Sequence, residues 1–234
     1  NVKSDTFTEK NIGYDPAGNI LALERRVQAP ETISLAYRYE ANRLTVLDEV
    51  STRADGGTLR ASYGYRYDEL GNMTRDGRNN LDLQYNFLNL IRHACDTLGN
   101  PVAAYAYDWS GVKWSARGAD GETGLDYAGS LVYDVRNGRR RVESIAFSGG
   151  RLIAANDGFE PRFFLTDHLG SVRAVVDGSG NVDERNDYFP FGQRWNTGVL
   201  SENRYRYNGK EEQEFVNMPY VDYGARMYDP QLGR

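Results

Sequence analysis

The spacing Asp-x-x-Gly occurs seven times in the 234 residues, and this repetition restricts the chain to folds with many tight turns. With 19 Asp and 25 Gly residues, chance predicts only about two occurrences of this spacing. In four of the seven, the following residue is Asn. A type I turn favours Asp at its first position and Gly at its fourth, where positive φ has no steric cost. The repetition therefore predicts a series of β-hairpins.

We assign structural turns to six of these pairs. They are Asp15 with Gly18, Asp68 with Gly71, Asp96 with Gly99, Asp108 with Gly111, Asp167 with Gly170, and Asp177 with Gly180. Each carboxylate should accept backbone N–H groups two residues further along the chain. Replacing Gly71 by Val should destabilise its hairpin, because a β-branched residue is then forced toward positive φ.

The strands between these turns are indicated by tyrosines that recur at every second residue, which places their rings on one face of a strand. The pairs and triplets are Tyr37 and Tyr39; Tyr63, Tyr65 and Tyr67; Tyr105 and Tyr107; Tyr205 and Tyr207. We expect Tyr67, Tyr107 and Tyr207 to be packing residues. No segment shows sustained helical periodicity, and a short helix is expected only around residues 210–215. The pattern predicts an all-β chain of antiparallel β-hairpins.

The middle of the chain predicts a three-stranded meander. Asn137-Gly138 lies between residues 131–136 and 139–147, in the pattern of a type I′ hairpin. Gly149-Gly150 then turns the chain toward residues 151–155.

Composition excludes several classes of protein. The net charge of −5 gives no reason to expect nucleic acid, because phosphate binding requires clustered Lys and Arg. The one basic run, Arg139 to Arg141, is interpreted as the solvated start of a strand. The single cysteine, Cys95, excludes an internal disulfide. No apolar run reaches the roughly 20 residues of a membrane span, and the glycine clusters do not form a phosphate loop.

No catalytic residue, metal ligand or cofactor is assigned. Asp167, His168 and Ser171 lie within five residues, but neighbours on a turn point in different directions and do not form a triad. His93 and Cys95 share one strand face, whereas a zinc site needs four ligands and the chain has two His and one Cys. A hydrolase with paired carboxylates stays open as an alternative. Exposed tyrosine ladders that stack sugars are another.

Tyr67-Asp-Glu-Leu-Gly-Asn-Met-Thr74 resembles the repeat of the RHS/YD-repeat proteins. A longer and more specific likeness, to the RHS repeat-associated core, is carried by residues 164–173, 188–192, 207–211 and 223–234. The signature residues are His168, Arg173, Pro190, Gly192, Asn208, Gly209, Tyr223, Arg226, Tyr228, Asp229, Pro230, Gly233 and Arg234.

The resemblance implies a hollow β-shell or cocoon, built from a spiralling ribbon of hairpins, that encloses a C-terminal polypeptide, often a toxin in bacterial members. It also implies a secreted or cell-surface location. In the family the core continues past the Gly-Arg that corresponds to Gly233-Arg234, and aspartates further on cut the chain. We therefore expect a fragment of a larger shell that stops before the cleavage motif, and we carry self-cleavage over to no residue. Asp229-Pro230 belongs to the earlier signature.

We divide the chain into YD/RHS repeats (1–115), a linking β-meander (116–159) and the truncated associated core (160–234). The expected function is to encapsulate and present a C-terminal effector or toxin of a secreted protein, without turnover chemistry. The expected partners are the rest of the parent polypeptide and the enclosed effector. A surface adhesion or glycan-binding module that contacts a glycan or a cell-surface receptor is the main alternative, and a carbohydrate-active hydrolase is the second.

Overall fold

The computed structural model describes residues 7–28, 31–195 and 203–234. The chain divides into two compact units, Asn1–Leu83 (unit 1) and Gln84–Arg234 (unit 2). The described residues form twenty strands and no α-helix. The prediction of an all-β chain of antiparallel hairpins is confirmed.

Unit 1 is a meander in which each strand pairs antiparallel with the next. Its strands are β1 (Thr8–Tyr14), β2 (Ile20–Gln28), β3 (Glu31–Glu40), β4 (Arg43–Thr52), β5 (Thr58–Tyr67), β6 (Met73–Asp76) and the start of β7 (Leu81–Tyr85), which contains the boundary.

The register of unit 1 follows from its alternating apolar residues. Leu23 lies opposite Leu35 in the β2–β3 pair, and Tyr37 lies opposite Leu47 in the β3–β4 pair. All four are buried. Because side chains alternate between faces along a strand, a slip of one residue would move this whole set to the other face.

Unit 2 continues the same pattern with ten further strands. These are β8 (Ile91–Asp96), β9 (Pro101–Tyr107), β10 (Lys113–Arg117), β11 (Gly124–Ala128), β12 (Leu131–Arg136), β13 (Arg139–Phe147), β14 (Gly150–Ala155), β15 (Gly158–Thr166), β16 (Val172–Asp177) and β17 (Val182–Arg185). Neighbours from β8 to β17 pair antiparallel. The predicted hairpin around Asn137-Gly138 has the expected strand ends, and both turn residues have positive φ, 50° and 70°.

Residues 203–234, called here the C-terminal segment, form a small three-stranded antiparallel sheet of β18 (Glu211–Glu212), β19 (Val221–Asp222) and β20 (Met227–Tyr228). Two short 3₁₀ turns cover Tyr207–Gly209 and Glu214–Val216. The helix expected over residues 210–215 is wrong, since Glu211 and Glu212 are extended. Their carboxylates bind different cations, and this arrangement needs side chains on opposite faces.

Candidate functional site

The turn at residues 15–19 shows how the recurring Asp-x-x-Gly-Asn sequence closes a hairpin. The Asp15 N–H donates to the Asn19 carbonyl at 2.9 Å, and the Gly18 N–H donates to the Asp15 carbonyl at 3.0 Å. One carboxylate oxygen of Asp15 accepts the N–H groups of Ala17 and Asn19 at 2.9 and 2.8 Å. Gly18 has φ 85°. This is a type I turn followed by a left-handed residue, a common hairpin connection.

The same two backbone hydrogen bonds occur at all six assigned turns. Their glycines have φ values between 80° and 88°. In addition, the Asn side chain at the fifth position donates to the second carboxylate oxygen in four turns, from Asn19, Asn72, Asn100 and Asn181, at 2.7–2.9 Å. Sequence reasoning missed this role, although the recurrence of Asn was its signal.

These hydrogen bonds hold the turn carboxylates in their ionised form. The pKa of Asp15, Asp96 and Asp177 lies below its ordinary value, chiefly because the Asn side chain donates to the carboxylate. The turn aspartates are therefore acceptors for the backbone of their own hairpin.

Asp126-Tyr-Ala-Gly129, the seventh occurrence, does not form this turn. Asp126 lies within β11 and is buried, where its carboxylate pairs with Arg117 and Arg140. The same backbone turn does occur without Asp at its first position, at residues 53–57, 86–90, 189–193 and 206–210. The local motif therefore marks most of the turns of this backbone type, but not all.

Within unit 2, the C-terminal segment is joined to the sheet by buried charges at three places. At the first, the Lys113 ammonium of β10 lies 3.0 Å from Glu211 and 2.6 Å from Asp222. The Tyr127 hydroxyl donates to Glu211 at 2.9 Å, and the ammonium lies 4.7 Å from the centre of the Tyr127 ring. Glu211 itself is buried.

The second place is centred on Glu143 of β13. Arg204 donates to both of its carboxylate oxygens, at 3.1 and 3.2 Å, and Arg151 donates to one of them at 2.7 Å. Arg204 also reaches Glu211, which connects the first two places. The Arg151 side chain is only 2% exposed and lies over the ring of Tyr205. A guanidinium shared between a carboxylate and an aromatic face suits a buried position.

The third place is centred on Glu184 of β17. Arg206 donates to Glu184 at 3.0 Å and to Glu212 at 2.5 Å. Arg194 lies 3.5 Å from Glu212. Arg206 and Glu184 are both buried, so removing one partner would leave an uncompensated charge.

The ion-paired side chains at these three places are called here the charged layer: Lys113, Glu143, Arg151, Glu184, Arg194, Arg204, Arg206, Glu211, Glu212 and Asp222. Burial and ion pairing act in opposite directions on the pKa of its carboxyl groups. Burial by itself raises the pKa of Glu211, yet Lys113 and Arg204 hold it below its ordinary value. Glu143 behaves in the same way, because Arg204 and Arg151 outweigh its burial. Burial prevails at Glu212, whose pKa is raised. All three shifts follow from the competition between desolvation and nearby opposite charge.

The signature residues Tyr223 and Tyr228 form an aromatic cluster with Tyr188 and Tyr207. Tyr207 packs on Tyr188 at 5.8 Å between ring centres and stacks on Tyr228 at 6.2 Å. Its hydroxyl donates to the Pro190 carbonyl at 3.1 Å. A Cβ added at Gly192 would lie 2.3 Å from the Tyr207 ring. Glycine is therefore required at position 192 by the nearby Tyr207 ring as well as by its φ of 90°.

Asn208 joins the C-terminal segment to the turn at residues 167–171. Its N–H donates to the Ser171 hydroxyl at 3.0 Å, and its amide donates to the Leu169 carbonyl at 3.2 Å. Tyr223 donates to the Asn208 side chain at 3.1 Å. Ser171 thus serves as an acceptor in a structural contact, and Asp167 accepts two backbone N–H groups of the turn, while His168 is exposed.

The remaining signature residues belong to the C-terminal segment, apart from Arg173 of β16. Asp229 begins a turn in which its carbonyl accepts the Gly233 N–H at 2.9 Å, and its carboxylate accepts the Gln231 N–H at 2.8 Å. Arg226 is exposed, and Arg173 pairs with Asp187 and lies over Tyr188. Gly209, Pro230 and Arg234 complete the signature and belong to turns of this segment.

Within residues 7–28, 31–195 and 203–234, no cluster of His, Cys, Asp and Glu is arranged to hold a metal ion. His93 and Cys95 lie on β8 and are partly buried. None of the helices in the described part is long and apolar enough to cross a membrane.

The family model of the teneurin YD-shell matches residues 1–234, and it describes a structural shell, not a catalytic domain. No curated protein matches the chain. Among solved structures, the crystal structure of TcdB2-TccC3 is similar, with a TM-score of 0.62 and 15% identity over 97% of this chain and 14% of that chain. The structure of the Photorhabdus luminescens Tc holotoxin pore with the TccC3-D651A mutation gives the same four values.

The crystal structure of TcdB2-TccC3-Cdc42 has a TM-score of 0.58 and 15% identity, over 97% of this chain and 14% of that chain. The chain therefore spans about one seventh of the length of the structures it resembles. At this identity the likeness shows the fold.

Proposed function

From the premise that the chain belongs to the teneurin YD-shell family, we propose that it is a wall segment of a shell that encapsulates and presents a C-terminal effector. The structural role is that of the family. The cargo, a secreted or cell-surface location and the rest of the parent polypeptide as partner belong to the proposal. We also propose that residues 1–115 are YD/RHS repeats, that residues 116–159 are a linking meander, and that residues 160–234 are the associated core. Together they would form part of a spiralling ribbon of hairpins.

The observation that carries the proposal is the attachment of the C-terminal segment to the sheet of unit 2. Lys113, Glu143 and Glu184 come from strands or strand ends of that sheet, and each is paired with a residue of the segment. A wall that retains a polypeptide must resist local opening, and buried ion pairs are costly to separate. The charged layer holds the C-terminal segment on the sheet of unit 2 in this way.

Protease protection tests the proposal in the parent polypeptide. A protease-sensitive reporter segment is placed after Arg234, and its rate of cleavage is compared with that of the free reporter. We expect protection in the parental shell and faster cleavage after Glu143→Gln, which weakens the attachment of Arg204. Glu160→Gln is the matched control, since Glu160 lies in the same unit with a 59% exposed side chain. Cleavage at the rate of the free reporter in the parental protein would refute encapsulation.

A further inference from the structure

Two Asn-Gly pairs lie in turns of unit 2, and the structure holds them differently. Asn137-Gly138 forms the two-residue turn between β12 and β13, and Asn208-Gly209 lies in the C-terminal segment. All four residues have positive φ, between 50° and 70°. Because the two pairs share their sequence and their backbone region, a difference in their reactivity must come from their surroundings.

An Asn-Gly pair carries a reaction that needs water but no enzyme, and the absence of a glycine side chain leaves the attacking nitrogen unhindered. The backbone nitrogen of the glycine loses its proton and attacks Cγ of the asparagine. The bond between this nitrogen and Cγ forms, the bond from Cγ to Nδ2 breaks, and Nδ2 takes up a proton and leaves as ammonia. Water then opens the resulting succinimide ring. Hydrolysis at Cγ gives aspartate, and hydrolysis at the backbone carbonyl gives isoaspartate, whose peptide bond runs through Cγ.

The surroundings of Asn137 leave this reaction open. Asn137 and Gly138 are both exposed, and neither the Asn137 side chain nor the Gly138 N–H has a hydrogen-bond partner within the described residues. The residues that close the turn are Arg136 and Arg139, directly opposite each other, and like charges in that position are destabilising. Little therefore opposes the rotation of the tip that brings the Gly138 nitrogen to the Cγ of Asn137.

The surroundings of Asn208 oppose the same reaction. Its Nδ2, the leaving group, donates to the Leu169 carbonyl at 3.2 Å, and its Oδ1 accepts from Tyr223 at 3.1 Å. Its own N–H donates to the Ser171 hydroxyl at 3.0 Å. The attacking group is held as well, because the Gly209 N–H donates to the carbonyl three residues before it at 3.0 Å. Rotation of Asn208 requires a local opening that breaks these hydrogen bonds, and a group that reacts only from an open state reacts more slowly.

We propose that Asn137 is a site of spontaneous deamidation in this protein, and that the attached C-terminal segment protects Asn208 from the same reaction. The product at position 137 is a carboxylate between Arg136 and Arg139, where the unmodified turn has a neutral amide. Isoaspartate also adds one atom to the backbone of a two-residue turn, which no longer fits the type I′ geometry. The modification is independent of encapsulation, since Asn137 takes no part in the charged layer. Deamidation of Asn208, in contrast, reports detachment of the segment.

Peptide mass spectrometry of the full chain, incubated at mildly alkaline pH and then digested at acid pH, measures both asparagines in one sample. Water enriched in heavy oxygen identifies the reaction, because hydrolysis of a succinimide places an oxygen atom from water in the product. We expect aspartate and isoaspartate at position 137, formed at least about tenfold faster than at position 208. In concentrated urea the two rates should agree within about twofold, because unfolding removes the hydrogen bonds that protect Asn208.

Two variants separate the two positions. Asn137→Gln should abolish the modification at position 137, because attack on the longer side chain has to close a larger ring, and it should leave the rate at Asn208 unchanged. Ser171→Ala removes the acceptor of the Asn208 N–H and should speed the deamidation of Asn208 about threefold or more. Asn137 is the internal control for this variant, and its rate should not change.

Equal rates at Asn137 and Asn208 in the folded chain would overturn the proposal, and so would an Asn137 that reacts in urea but stays intact in the folded chain. A rate at Asn137 that falls as pH rises would exclude attack by a deprotonated backbone nitrogen. An unchanged rate at Asn208 in Ser171→Ala would refute its protection by the segment. Tryptophan fluorescence of each variant verifies that unit 2 is folded, because all three tryptophans, at positions 109, 114 and 195, belong to it.

Discussion

Replacing Gly192 by Ala tests whether the aromatic cluster is as tightly packed as the structure indicates. Gly192 has φ 90°, and its new Cβ would lie 2.3 Å from Tyr207 Cδ1. The left-handed backbone costs an L-residue about 1–2 kcal/mol. Displacing the Tyr207 ring costs about 1–3 kcal/mol more. Together they predict a loss of about 2–5 kcal/mol in the free energy of unfolding of unit 2.

Gly180 offers a control in the same backbone turn. Its φ is 87°, but a Cβ there meets no atom within 4 Å. Gly180→Ala should therefore cost only the backbone contribution of about 1–2 kcal/mol. The difference between the two variants isolates the contact with Tyr207.

Urea denaturation followed by tryptophan fluorescence measures both variants, because the three tryptophans report on unit 2 alone. Combining Gly192→Ala with Tyr207→Ala should remove the steric contribution, so that the glycine substitution then costs as little as Gly180→Ala. Equal losses for Gly192→Ala and Gly180→Ala in the presence of Tyr207 would refute the close packing. A Gly192→Ala cost that is unchanged by Tyr207→Ala would refute it as well.

Four other substitutions have defined outcomes. Tyr105→Phe should leave the stability of unit 2 unchanged or raise it by up to about 1 kcal/mol, because its buried hydroxyl has no hydrogen-bond partner in the described residues. Tyr127→Phe should lower the stability of unit 2 by about 1.5–3 kcal/mol through loss of the hydrogen bond to Glu211. A larger loss of stability for Tyr105→Phe than for Tyr127→Phe in urea denaturation would contradict the assignment. Gly71 has φ 88°, so Gly71→Val should destabilise unit 1 by about 1–3 kcal/mol. Hydrogen exchange of the backbone amides of that hairpin measures the loss, and unchanged exchange rates would count against a strained backbone. Lys113→Met should cost about 3–5 kcal/mol at pH 7, because it leaves Asp222 without its cation and buried Glu211 with Arg204 alone. The pKa of Glu211 is held low by Lys113, so without this cation it rises, and the deficit should shrink as pH falls; a deficit that grows on acidification would refute this pairing.

The hairpin turns could be predicted from the sequence because their interactions are local. In the turn at residues 96–100, every donor to the Asp96 carboxylate lies within four residues. Asp126 was different: its partners Arg117 and Arg140 come from other strands, and tertiary pairing replaced the local turn.

The charged layer could not be predicted, because its partners are far apart in the sequence. Lys113 and Asp222 are separated by 109 residues, and neither stands in a motif that suggests the other. The prediction of a helix over residues 210–215 was wrong for the same reason. Glutamate has a local preference for helix, but Glu211 and Glu212 are extended because each pairs with a cation on a different side of the segment.

Charge rather than apolar burial is suited to fixing the C-terminal segment in one position. Apolar contacts are non-directional, so they would tolerate a shifted segment. Ion pairs would not, because the side chains of an extended strand exchange faces when the strand slips by one residue. A slip of β18 in one direction would place Lys210 where Glu211 now meets Lys113, and in the other direction Gln213 where Glu212 now meets Arg206. Either error removes one of the two carboxylates that neutralise a cation of the charged layer, since Lys113 keeps only Asp222 and Arg206 keeps only Glu184. The glutamate pair thus selects one register of the segment on the sheet of unit 2.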